Sequence, residues 1–361
     1  MIIRDAIHGN VELGGLEGRI MDTAEFQRLR GIKQLGMTHL VYPGAMHTRF
    51  EHSIGTMHLA SLICERLGAS GEEKAKMRVQ ALLHDIGHNA FSHESEKAIR
   101  KFFGSHEEIG KEKIAKGEIG DIIRENFSVS EIAGDAGEII CSDVGADRMD
   151  YLHRDAYYTG VSYGTVDTDR VIHTLEMDDG GLVVGKRGLE AAEMLLVGRF
   201  MMFSNVYLHK TVRIASAMLN KGISGAISEG MEPEAFLEGT DDSVLRMMRE
   251  TPSGEKYAGA LLRRELYKEA HSVEGVIVDP ETAAKELSDE CSCDVLVDLP
   301  PVLSKKPRIR ARVNGKLGLL VDESDLVRSL FMAEEKRKRT LILCPKGERE
   351  KVHKSAKAYF R

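Results

Sequence analysis

A chain of 361 residues, 42% of them hydrophobic, holds enough apolar material for one large core, or for a core and a smaller lobe, which excludes disorder as the default. Its formal charge of −7 hides an asymmetry: residues 301–361 carry 17 Lys and Arg against 7 Asp and Glu, so this end is +10 and the preceding 300 residues are −17. No run approaches the roughly 18 consecutive apolar residues of a membrane span, and MIIRDAIHGN lacks the apolar stretch of a secretory signal, so a cytoplasmic protein is expected.

From Asp22 to about Tyr158 helical spacing dominates: GTMHLASLICERLG and KAKMRVQALLHDIGH place apolar residues three and four apart. HTLEM and LVVG flank the turn-forming DDGG, which predicts a hairpin near residues 173–185. The longest helical stretch follows, roughly Leu189 to Lys221. Beyond about residue 271 short β-branched runs take over, VEGVIV, DVLVDL, RIRARV and KLGLLV, the last two joined by Asn314 and Gly315 as a hairpin turn. The expected fold class is mainly α: a helical catalytic domain over residues 1–270 with short β-hairpins, then a smaller basic α+β lobe over residues 271–361. The basic lobe is open to three uses, a solvated surface, a polyphosphate site or a subunit contact. KKPRIRAR at 305–312 and KRKR at 336–339 would also suit nucleic acid, but no recognisable nucleic-acid module accompanies them. The five cysteines, Cys64, Cys141, Cys291, Cys293 and Cys344, are odd in number and scattered, which suits a reducing compartment better than a disulfide framework.

Ten of the fourteen histidines fall within the first 155 residues, interleaved with carboxylates. Taken singly, a histidine is expected to be a core or surface imidazole with a backbone partner, and His8, His39, His58, His173, His271 and His353 are read that way. The set His52, His84, Asp85 and Asp147 reads differently. ALLHDIGH delivers His84 and Asp85 together at a helix end, with Gly87 allowing a sharp turn or a close approach before His88; His52 opens the preceding helix and Asp147 comes from a third. Imidazole nitrogen and carboxylate oxygen together suit one divalent transition metal, Fe, Mn, Zn or Ni, rather than Mg or Ca.

The order His, His-Asp, Asp resembles that of the HD-domain phosphohydrolases. Within them, DAIHGNVEL, DTAEFQRLRGIKQLG, VYPGAMHTRFEHSIG, LLHDIGHNAFSHESE and DRMDYLHRDAYYTG are similar to the deoxynucleoside triphosphate triphosphohydrolase branch, from about Asp5 to about Lys210. The resemblance implies an HD-type helical core and hydrolysis of a deoxynucleoside triphosphate to deoxynucleoside and inorganic triphosphate. It also implies homo-oligomeric assembly and Mg accompanying the substrate triphosphate. A nucleoside monophosphate, a cyclic nucleotide or another phosphoester would use the same metal set.

Carried over residue by residue, the resemblance makes His93 the candidate general acid with Glu96 beside it, where the family has aspartate, and makes His106 and Glu107 a pair next to the metal. SHEE also looks like a helix start capped by Ser105. Arg49, His88, Arg148 and Arg199 are candidate phosphate contacts, Arg148 standing where the family usually has lysine. Tyr151 is expected to stack on the deoxyribose, with Asp155 and Gln34 at the 3′-hydroxyl and Leu35 beside them. Asp147, Tyr151 and Asp155 share one helical face by their spacing of four. Arg199, Phe203 and Tyr207 repeat that spacing and would carry base and phosphates, Phe203 replacing a frequent histidine. Asp22, Gln27 and Arg30 resemble the segment with which a vertebrate member reads an activating guanine nucleotide; they equally fit a capped helix.

Overall fold

The computed structural model describes residues 1–178, 181–300, 307–313 and 315–360, and helices dominate it. At its centre runs the helix Arg49–Leu67, opened by a capping box between Thr48 and Glu51 and closed by Gly68 in the left-handed region (φ 70°). Phe50, Ile54, Met57, Ala60 and Ile63 are all buried, so apolar neighbours surround this helix on most sides. The helices Gly71–Leu83 and Ala146–Thr159 pack directly on it, and Leu189–Met202 packs on the second of these. An N-terminal hairpin, Ile2–Asp5 with Gly9–Glu12, lies against its side.

A second core forms between the helices His93–Phe103, Lys210–Ser228 and Pro252–Leu262 and one face of a three-stranded sheet. Arg339–Cys344 is the middle strand of that sheet, antiparallel to Lys268–Glu274 on one side and to Leu296–Asp298 on the other. Strand alternation sorts its side chains. Leu341 and Leu343 enter the second core, while Ile342 and Cys344 face the third, under the helices Pro280–Cys291 and Arg349–Tyr359. The RTLILC run, which begins on the last residue of the basic KRKR, is thus a central strand buried from Thr340 onward that composition alone did not reveal.

Four expectations need correction or placement. The stretch from Leu189 to Lys221 is not one helix: it is Leu189–Met202, a single π-helical turn Phe203–Tyr207, and a new helix from Lys210 capped by the His209 side chain. The strand drawn over VEGVIV ends at Glu274, and Val276 and Val278 are exposed. The hairpin pairs Leu175–Asp178 with Gly181–Val184, and Asp179 and Gly180 of its turn lie outside the described residues. Arg310–Val313 and Lys316–Leu319 pair as expected, with Asn314 of the turn likewise outside, but they do not join the three-stranded sheet. Arg310 and Ala311 run parallel to Val183 and Val184 instead, and Ile309, Ala311, Leu320, Val321 and Val327 are buried in the first core.

That return also neutralises part of the basic end. Arg310 pairs with Glu138 at 3.1 Å and Arg312 with Asp178 at 2.7 Å; Lys305 and Lys306 lie outside the described residues. Among the described residues no helix is long and apolar enough to cross a membrane.

Candidate metal centre and substrate face

His52 is the fourth residue of the central helix, His84 caps the end of Gly71–Leu83, and Asp147 lies in the first turn of Ala146–Thr159. His52 Nε2 stands 3.1 Å from Asp147 Oδ1 and 3.5 Å from Asp85 Oδ2; His84 Nε2 stands 3.4 Å from Asp85 Oδ1 and 3.8 Å from Asp147 Oδ1. The other nitrogen of each ring is engaged, His52 Nδ1 with Asp150 Oδ2 at 2.8 Å and His84 Nδ1 with the Ala81 carbonyl at 2.7 Å. Both Nε2 atoms are buried without a directed hydrogen bond. Ligand atoms about 2.1 Å from a common ion sit roughly 3 to 3.5 Å apart, so His52, His84 and Asp85 could hold one divalent ion with nitrogen and oxygen donors, and Asp147 stands beside both imidazoles, somewhat farther from His84. Burial opposes a charged His52, yet Asp147 and Asp150 outweigh it and push its pKa up to about 10, a measure of how much negative charge is gathered here.

Behind His52 lies a buried ion network that the sequence reading missed. Asp150 accepts from His52, from His8 Nε2 at 2.6 Å, and from Arg154 Nε at 2.8 Å, while Arg154 NH1 reaches Asp5 Oδ2 at 2.9 Å. His8, read as an imidazole with a backbone partner, is therefore part of this support. Gly55 makes room for it: a Cβ there would lie 1.9 Å from Asp150 Oδ1 and 2.4 Å from Arg154 NH2. The signal available in the sequence was the Asp150 and Arg154 pair, four apart on a helix face.

Three imidazoles gather on the other side of Asp85. His88 stacks on His106 with ring centroids 4.1 Å apart, and His93 meets both edge-on. Glu96 holds two of them, accepting at Oε2 from His93 Nδ1 and at Oε1 from His106 Nδ1, each at 3.1 Å. Those bonds hold the Glu96 carboxylate well below its ordinary range, and against the cost of burial Glu96 raises the pKa of His106. Burial and the Arg49 charge push His88 far the other way, so it stays neutral. His106 Nε2 is 3.4 Å from Glu107, and Ser105 does cap this helix, through Glu108. The close approach expected at Gly87 is against this helix, since a Cβ on Gly87 would fall 2.0 Å from the His106 carbonyl oxygen and 2.3 Å from Gly110 N. Arg49 is buried, with NH1 at 2.6 Å from Asp85 Oδ2 and Nε at 3.0 Å from Ser92 Oγ. Phe91 and Ser92, both at positive φ (66° and 52°), turn the chain sharply into the His93 helix, braced by Asp241 on the Phe91 amide at 2.7 Å.

Farther along Ala146–Thr159, Asp155 is buried and already bonded, to His47 Nε2 at 2.8 Å and to the Tyr207 hydroxyl at 2.5 Å. Tyr151 is half-buried and lies near Arg148, Asp147, Arg199 and Asp155. The Gln34 side-chain oxygen is buried without a partner, and Leu35 packs against the first core. Arg148 Nε is likewise buried and unbonded, its guanidinium steered by Asp143. Arg199 lies over the Phe203 ring at 4.7 Å, and Phe203 meets Tyr207 edge-on at 5.0 Å, so the three are neighbours despite the π turn between them. Arg199 is also paired, NH1 and NH2 lying 3.3 and 3.4 Å from the Glu334 oxygens. Asp22 is exposed one residue ahead of the Thr23 cap, Gln27 bonds the Met21 carbonyl at 2.8 Å, and Arg30 lies 3.5 Å over Phe50.

A helical bundle with this His and Asp cluster falls in the HD class, whose domains bind divalent metals. The HD domain model matches residues 49–155 and the model of the HD associated region matches residues 166–361; the chain belongs to the HD phosphohydrolase superfamily. A Methanocaldococcus jannaschii protein is 46% identical over 254 residues, 68% of this chain and 54% of the relative. A Dictyostelium discoideum homologue of a deoxynucleoside triphosphate triphosphohydrolase is 30% identical over 306 residues, 74% of this chain and 59% of that one. The chain thus spans between half and two thirds of the length of these relatives. Among solved structures, one of an Aquifex aeolicus protein superposes with a TM-score of 0.83 at 31% identity over 99% of both chains, and a Bacteroides thetaiotaomicron phosphohydrolase gives 0.81 at 25% over 96% of this chain and 100% of that one.

Proposed function

We propose that this chain hydrolyses deoxynucleoside triphosphates at the α-phosphorus, releasing deoxynucleoside and inorganic triphosphate. The observation that carries the reading is the continuity of one helix face, on which Asp147 at the metal cluster leads through Tyr151 to Asp155, with Tyr207, Arg148 and Arg199 alongside. His52, His84, Asp85 and Asp147 would hold the ion. A divalent metal held there would lower the pKa of water towards about 7 and screen phosphate charge. Glu96 fixes His93 by Nδ1, which leaves Nε2 to carry the proton for the departing 5′ oxygen. Arg148, whose Nε is buried and unbonded while Asp143 holds NH1, and Arg199 would take phosphate oxygens, and Tyr151 would pack against the sugar and disfavour a 2′-hydroxyl. The reading also carries homo-oligomeric assembly, a cytoplasmic setting, and Mg on the substrate triphosphate. Asp22, Gln27 and Arg30 remain an activating-nucleotide site in this proposal only if the four deoxynucleotides are hydrolysed as a mixture and not singly.

The test is incubation of metal-loaded protein with each deoxynucleotide and separation of products. Intact inorganic triphosphate supports the reading; nucleoside diphosphate with single phosphates overturns it. One observation favours a second reading, hydrolysis of a nucleoside monophosphate or cyclic nucleotide: Arg199 is already paired with Glu334, which shortens the free cationic tract. Turnover of monophosphates in preference to triphosphates would select it.

A further inference from the structure

Arg199 and Glu334 are both buried, at 3% and 6% exposure, and stand 135 positions apart in the chain. Glu334 is the penultimate residue of the helix Asp325–Glu335, which runs beside Leu189–Met202 and is clasped to it at three points. Ser324 Oγ donates to Glu193 at 2.5 Å, Glu334 spans the two terminal nitrogens of Arg199, and Arg337 lies 4.9 Å over the Phe200 ring. Two oxygens set side by side across a guanidinium are what two oxygens of a phosphate would also present. A phosphate and the Glu334 carboxylate on the same fork would be two like charges in contact, out of water, and a site this buried holds one of them, not both.

We propose that Glu334 sets how tightly this chain binds the phosphate tail of its substrate: its carboxylate occupies the Arg199 fork, and a substrate phosphate takes its place by releasing the end of the Asp325–Glu335 helix. The inference rests on Arg199 serving substrate phosphate, as proposed above. The helix Asp325–Glu335 then acts on binding through an exchangeable carboxylate, without contributing to the chemistry.

The experiment uses inorganic tripolyphosphate as probe, titrated calorimetrically into full-length, metal-loaded protein. Glu334→Gln keeps the shape and removes the charge, and is expected to lower the Kd for tripolyphosphate about fivefold or more. In the parent protein, saturating tripolyphosphate is expected to speed amide exchange in residues 325–335. In an Arg199→Ala background the effect of Glu334→Gln should vanish. A purely structural clasp, once loosened, would weaken binding, so equal or weaker binding by Glu334→Gln, or slower exchange with tripolyphosphate, overturns the proposal. If deoxynucleotides prove not to be substrates while Glu334→Gln still tightens tripolyphosphate binding, only the functional reading falls; if they are hydrolysed and Glu334→Gln tightens nothing, only this inference falls.

Discussion

Asp150 Oδ2 lies 2.8 Å from His52 Nδ1, on the side of the ring away from the metal cluster, and so fixes which nitrogen of His52 faces Asp85 and Asp147. The same carboxylate balances the buried Arg154. Asp150→Asn should therefore act twice, lowering metal affinity by about 10 to 100-fold through a misoriented ligand and destabilising the fold by about 1 to 3 kcal/mol because the buried guanidinium keeps Asp5 as its one remaining anion. Metal content after dialysis and urea unfolding measure the two effects separately, and retention of both parent values would contradict this role.

Gly87 needs no unusual φ; it is required because the helix backbone at His106 and Gly110 occupies the place of a side chain. Backbone on both sides cannot give way cheaply. Gly87→Ala is expected to cost about 2 to 3 kcal/mol and to unstack His88 from His106. The combined check is the melting temperature together with kcat at a temperature where the variant is folded; a kcat equal to the parent's would show that the stacking is dispensable.

For Glu96→Gln, loss of the shared carboxylate should reduce kcat by about 100-fold with little change in KM. It should also return the His106 pKa towards its ordinary value, because Glu96 is the hydrogen-bonding partner that raises it. Titration of the imidazole resonances follows this directly. An unmoved His106 would mean that neighbouring Asp85 and Glu107 dominate.

Glu94, the residue after His93, turns inward to accept from the Met37 amide at 3.0 Å and the Ser216 hydroxyl at 2.8 Å, and burial pushes its pKa up to about 8. Its folded pKa lies above the unfolded value near 4.5, so the native state keeps a proton that the unfolded chain gives up. Its contribution is then fully present below about pH 4.5, declines as pH rises by at most about 1.4 kcal/mol per unit, and levels off above about pH 8. Unfolding free energies from pH 5 to 8 should show this slope in the parent and a flatter one in Glu94→Gln.

Much of the cluster could be read from the chain because its spacing is local. His84 and Asp85 are adjacent, His93 and Glu96 are three apart, and Asp147, Tyr151 and Asp155 are four apart, and the helices that carry them form where their periodicity places them. What escaped notice depends on distant partners. Glu334 is 135 positions from Arg199 and looks like any acidic residue near a helix end. Asp5 meets Arg154 across 149 positions. The π turn at Phe203–Tyr207 escaped because one extra residue in a turn leaves the apolar spacing on either side nearly unchanged.

The parallel pairing of Val183 and Val184 with Arg310 and Ala311 has a consequence for how the protein is made. At a synthesis rate of about 5 to 20 residues per second, the strand that closes this sheet leaves the ribosome on the order of ten seconds after the hairpin that awaits it. Throughout that interval the edge of Gly181–Val184 is bare, and the apolar side chains later covered by Ile309, Leu320 and Val327 face water. A nascent chain halted in that window would carry every residue of the proposed metal site and still be a sticky fragment, so expression of this protein should depend on chaperones that bind early chains more than its finished surface suggests.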